Sequence, residues 1–215
     1  MKKFMMAAVA LICMTMTSVA LLSCGGDDDD DNKGSELTPN TYEVTLSAVL
    51  PESAAGFFTL DLDYIGADGN TNKVTVKAGD QSDAMSEQMK KLYDTQKEFA
   101  IAQMGWDNKP EKRALFDQLI VKNVTFVVPA GKSFSYKATI KARTNYTQPS
   151  GEAFDVVRPF AYMGSKRISG NSQDSSVFTE SMNLKAYGSV ETESLADFLE
   201  LLDGSVVAED SRTMK

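Results

Sequence analysis

The sequence predicts a mainly β fold: an antiparallel β-sandwich with one inserted amphipathic helix and a short C-terminal helix. Several segments alternate apolar and polar residues with the period of a half-buried strand. They are separated by turns rich in Gly, Pro, Asn and Asp, and the order of segments shows neither a βαβ rhythm nor an internal repeat. With 215 residues, 42% of them apolar and 24% charged, the chain has material for one core plus appendages.

Tyr42, Val44, Leu46, Ala48 and Leu50 form the first apolar face, ended by Pro51. Phe58, Leu60, Leu62 and Tyr64 form the second, and Asp68-Gly69-Asn70 turns the chain into an alternating run from Lys73 to Lys77, giving a hairpin. Carboxylates two apart on a strand point the same way. Asp61, Asp63, Asp68 and Asn70 nevertheless read as the wet face and turn of that hairpin, because EF-hand spacing is absent and the sequence calls for no metal and no cofactor.

From Ser82 to Met104 the period changes to that of a helix, with Met85, Met89, Leu92, Tyr93, Phe99, Ala100 and Met104 on one side. This helix is expected to cover an end or edge of the sheet. Gly105 ends it, and Trp106, the only tryptophan, is expected to plug the join; its rival role is a platform for a sugar ring. Pro110 suits the first turn of a short helix reaching Phe116.

Strand signals return at Ile120–Val128, a segment expected to be buried on much of both faces, and then in the alternation from Phe134 to Arg143. The outward basic row of the latter is expected to face Asp61 and Asp63 across strands. Ala153–Met163 is a strand interrupted at Pro159, the stretch from Gly164 to Ser176 is a polar loop, and Val177–Tyr187 is the last strand. Leu195, Phe198, Leu199 and Leu202 fall at i, i+3, i+4 and i+7 of a helix preceded by Ser194 and closed by Gly204. The domains therefore read as 1–23, a removable leader; 24–40, a modified cysteine and acidic flexible linker; 41–203, the sandwich with its helical insert near 82–116; and 204–215, a flexible tail.

Composition excludes several classes of function. Thirty acids against 22 bases leave a formal charge of -8 and no basic field for a nucleic-acid backbone. Histidine is absent, which removes Ser-His-Asp and Cys-His catalysis, the common zinc ligand sets and any histidine switch.

The first thirty residues carry an address. Lys2 and Lys3 precede an uncharged apolar run from Phe4 to Leu22, which leads into Leu21-Leu22-Ser23-Cys24, two glycines and the tract Asp27–Asp31. This resembles a bacterial lipoprotein signal, which implies cleavage between Ser23 and Cys24 and acylation of the Cys24 thiol. Cys13 would leave with the leader, so no disulfide remains. An acidic stretch behind the lipidated cysteine resembles the surface-export signal of Bacteroidota lipoproteins and implies an outer-membrane anchor facing the cell exterior, with a periplasm-facing anchor as the alternative. The strand layout is similar to the immunoglobulin-like or transthyretin-like sandwiches of such lipoproteins, including fimbrillins. No diagnostic motif accompanies the likeness, which implies a fold and no site residues.

Three functions compete on these grounds. The residues favour a membrane-anchored, non-catalytic interaction or structural module with a protein partner. A glycan-binding accessory lipoprotein is the alternative, and it requires Trp106, Tyr146 and Tyr162 to converge on one surface. A carboxylate-based hydrolase ranks third.

Overall fold

The computed structural model describes residues 37–172 and 181–215. The leader, Ser23, Cys24, the acidic tract and Phe178 lie outside the described residues. In chain order the elements are β1 (Thr41–Pro51), α1 (Glu52–Ala55), β2 (Phe58–Ile65), β3 (Thr71–Val76), α2 (Glu87–Gln103), α3 (Pro110–Arg113), β4 (Leu119–Pro129), β5 (Ser133–Ala142), β6 (Ala153–Val157), β7 (Phe160–Ser169), β8 (Ser181–Met182), β9 (Ala186–Glu191), α4 (Leu195–Leu202) and β10 (Val206–Thr213). They form three antiparallel sheets, ordered β4-β1-β7-β8, β10-β5-β2-β3 and β6-β9, with helices inserted between strands.

Period-two patterning sets what each face touches. Val44, Leu46, Ala48 and Leu50 of β1 enter one apolar cluster with Phe58, Leu60 and Leu62 of β2 and Tyr136, Ala138 and Ile140 of β5, so the two four-stranded sheets share a core. Leu195, Phe198, Leu199 and Leu202 of α4 close one end of it. The opposite face of the β1 sheet carries a second cluster, in which Val49, Val121, Phe160, Tyr162 and Met182 meet Met89, Tyr93, Ala100 and Ile101 of α2. Tyr93 stacks on Phe160 with ring centres 5.8 Å apart. The inserted helix thus covers a sheet face rather than an end or edge.

Several expectations are corrected. Helix α2 begins five residues later than its apolar period suggests, with Ser86 accepting the Met89 N–H as N-cap. Residues 82–84 serve the open edge of β4 instead: the Ser82 hydroxyl accepts from Val121 N–H at 3.0 Å, and the Asp83 carboxylate accepts from Asn123 N–H at 2.8 Å. A short polar side chain that meets an orphaned edge group competes with helix there. Phe99 is exposed, and Ile101 holds the buried position in its place. Only half of β4 is covered on both faces, because α2 shields Val121 but leaves Thr125 and Val127 in solvent.

Pro159 separates two strands of different sheets, β6 and β7, and β7 runs on through Ser169, where a polar loop was expected. The predicted strand at 177–187 is likewise divided, β8 adding to β7 and β9 to β6. The expected frayed tail is strand β10, paired with β5 from Val206↔Thr139 to Thr213↔Ser133. Met214 is buried, its N–H donating to the Lys132 carbonyl and its carbonyl accepting from Gly131 N–H. The apolar alternation fails in β10 because inward positions are filled by Asp210 and Arg212, which neutralise each other.

Replacing Leu62, fully buried between the sheets, by Ala is expected to lower stability by about 2–5 kcal/mol. Phe99→Ala is expected to stay within about 0.5 kcal/mol. Urea unfolding midpoints of the two variants check both values.

Candidate functional site

Strand register gives the body two poles. At one, β1 begins at Thr41 opposite Pro129 of β4 and Ser169 of β7, and the β2–β3 turn and the end of β10 lie at the same pole. At the other lie α1, α4 and the connection 143–152 that leaves β5. The 11 residues of β1 hold the poles about 35 Å apart.

The three aromatics considered for a sugar platform do not meet. Trp106 is 2% exposed and Tyr162 is 3% exposed, so neither offers a ring face to a ligand; Tyr146 is 37% exposed, on the 143–152 connection. Trp106 is the expected plug. Phe116 packs edge-on with ring centres 6.2 Å apart, and the Lys112 ammonium lies 5.3 Å from the indole centre. Below it is Gly188, where a Cβ would come within 2.9 Å of the indole. Asp155 fixes this seat by pairing with Lys112 at 3.1 Å and accepting the Ser189 N–H at 2.9 Å. Ser189 has φ 53°, the one non-glycine positive φ among the described residues, and it sits where the β6–β9 register slips opposite Asp155. Tyr162 lies beneath α2 and over Gly164, where a Cβ would fall 2.2 Å from the tyrosine hydroxyl.

The far pole gathers a surface that period analysis missed. Phe57 and Phe154, both half-buried, lie 5.2 Å apart, and Phe154 and Tyr187 both contact Phe198 of α4. The Tyr146 loop is tied down beside them. Arg143 donates from its backbone N–H to the Phe57 carbonyl and from its guanidinium to the Ala55 carbonyl, while Gln148 donates to the Thr192 carbonyl and the Thr192 hydroxyl to that of Gly151. On the outer side of α4, Leu201 is 62% exposed among Asp197 and Glu200. The signal for this surface was Leu201 itself, which falls off the apolar stripe of the helix.

The outer face of the second sheet carries a row of alternating charge, Glu209, Lys137, Asp63 and Lys73, set side by side by register. The basic row of β5 does face Asp63, as its spacing suggested. A shallow groove of about 320 Å³ crosses this face, walled by Asp63, Lys137 and Glu209 on one side and Ile65 and Thr71 on the other. Asp61 has both oxygens engaged, by Lys73 Nζ at 2.7 Å and Thr75 Oγ1 at 2.6 Å, and Asp68 accepts from the backbone and side chain of Asn70. Those bonds to Asn70 hold the Asp68 carboxyl below its ordinary range. These two carboxylates therefore work as hairpin ties.

Compared with known proteins, the chain matches no family model, no curated protein and no solved structure.

Burial, aided by Asp210 and partly offset by Arg212, pushes the Tyr136 hydroxyl up to about 12 from its ordinary 10. Tyr93, whose hydroxyl donates to the Phe116 carbonyl, is raised further by burial and then by Asp117 and Asp94. Each folded-state value lies above the unfolded one, so this stabilisation is complete below pH 10 and is lost as pH climbs toward 12 and beyond. Unfolding free energies measured across that range should fall, and Tyr136→Phe should make the fall shallower. Trp106 emission is expected to resist iodide quenching until the protein unfolds; ready quenching of the native state would place the indole outside.

Proposed function

We propose that this protein is a lipid-anchored, non-catalytic interaction module, exposed at the cell surface, whose body is a two-sheet β-sandwich. One observation carries the reading: Leu21-Leu22-Ser23-Cys24 is followed by only twelve residues, the aspartate tract among them, before Leu37, where the body begins. A diacylglyceryl group on the Cys24 thiol would hold the protein at a membrane, since each buried methylene contributes about 0.8 kcal/mol.

The body suits that role. Its chain enters at one pole, and the other carries the pinned Tyr146 loop and the exposed Leu201, directed away from the point of attachment. Loops fixed at both ends of a rigid sheet make contact surfaces with little ordering cost. A partner protein fits this surface better than a glycan, because two of the three aromatic side chains that a sugar platform needed are inside. The acidic tract supports an outward-facing outer-membrane address.

Cys24→Ala is expected to abolish metabolic fatty-acid labelling and to move the protein out of the membrane fraction. Protease added to intact cells should remove the wild-type protein while sparing a periplasmic control. Labelling that survives in Cys24→Ala sinks the anchor, and protection of the wild type turns it toward the periplasm.

A further inference from the structure

We propose that the pole at which the chain enters the body makes a second, direct contact with the lipid surface, so that the anchored protein stands on its β1 end. This rests on the lipid anchor at Cys24 proposed above. The described residues place four exposed aliphatic side chains around that pole. Leu37 precedes β1, Ile65 ends β2, Val127 pairs beside Glu43 near the start of β1, and Ile168 lies near the end of β7. They stand apart from the two shared clusters on which the fold depends, and burying them offers the body no packing of its own.

Charge is distributed in the same direction. Around this pole stand Lys132, Lys166, Arg167 and Lys215, against Asp68 and Glu43, the latter paired with Lys166 at 2.8 Å, while Arg212 and Asp210 pair with each other. The far pole, by contrast, carries Glu191, Glu193, Asp197, Glu200 and Asp203 against Arg143 and Arg158. The near pole is therefore the cationic end of a chain whose total is acidic. Cations beside exposed aliphatic groups match the two layers of a lipid surface, phosphate above and hydrocarbon below.

Geometry brings the two within reach. The segment from Cys24 to Leu37 spans at most roughly 45 Å when fully drawn out. A tethered pole therefore samples the bilayer at high effective concentration, and weak contacts count. The aspartates at 27–31 oppose attraction to an anionic leaflet, so the aliphatic side chains carry the contact and the cations orient it.

The test uses the full-length lipidated protein in vesicles of phosphatidylethanolamine and phosphatidylglycerol. An environment-sensitive fluorophore is placed at Ile168→Cys or Val127→Cys, with Leu201→Cys at the far pole as reference; an acylated Cys24 has no thiol to label. The labels at 168 and 127 are expected to shift to the blue on reconstitution and to lose several-fold of their iodide quenching, while the label at 201 stays aqueous. If the protein floats with the vesicles and all three labels quench alike, the contact is overturned and the anchor stands. If it does not float and Cys24 is found as a free thiol, the anchor fails and this contact fails with it.

Discussion

The structure depends on burying β1 from two directions at once. Its even-numbered residues enter the core shared with β2 and β5, while Val49, on the opposite face, is sealed by α2. A strand buried on both faces leaves few polar groups room to err, and the one polar side chain it buries, Ser47, donates to the Asn123 side chain at 2.8 Å. Because β1 pairs with β4 on one side and β7 on the other, its register fixes theirs. Helix, first sheet and second sheet then follow as successive layers of one requirement, that no apolar face of β1 meet water.

Alternation was legible where one face was wet and one dry. Strands β2 and β5 and helix α4 could be read from their residues because a single partner layer determines each pattern, and β1 because its second face stays polar as far as Ser47. Legibility failed where two partners compete for one segment. Ser82 and Asp83 have helix-start chemistry, yet the bare edge of β4 takes them. Phe99 fits the apolar stripe by angle, but the face that α2 buries, Met89, Tyr93, Ala100 and Ile101, is rotated away from it. In β10 the pairing to β5 is made by backbone, and the inward side chains Asp210 and Arg212 hide the period that would have announced it.

The same distinction separates what could be read of the functional surface. Trp106 was legible as a plug, since a lone indole between a helix stop and a proline has more apolar area to bury than a loop can cover. Its seat was not, because Gly188 and Asp155 reach it from strands that are distant in sequence. Tyr162 was considered for a surface role only as one of three aromatics that a sugar platform would need, and α2 removes it by lying across it. Leu201 was the reverse case: an apolar residue off its stripe marks an exposed spot without needing any knowledge of what lies nearby.

Placing chain entry and the pinned loop at opposite ends of antiparallel strands has a mechanical result. Antiparallel pairing makes connections turn at one of two poles, so entry of the chain at the start of β1 assigns the remaining connections to near or far positions. The near pole is sewn shut by two main-chain bonds, Ala130 N–H to the Asn40 carbonyl and Gly131 N–H to that of Met214, and by the Tyr42 hydroxyl, which donates to the carbonyl of Lys215. Those bonds couple the first strand to the last, so a pull on the entering chain is shared between both sheets rather than peeling β1 alone. The far pole adds side-chain packing to main-chain bonds such as Arg143 N–H to the Phe57 carbonyl, with Phe198 set among Phe58, Phe154 and Tyr187. Side-chain packing of that kind lets the residues of a connection vary while the sheets beneath stay fixed.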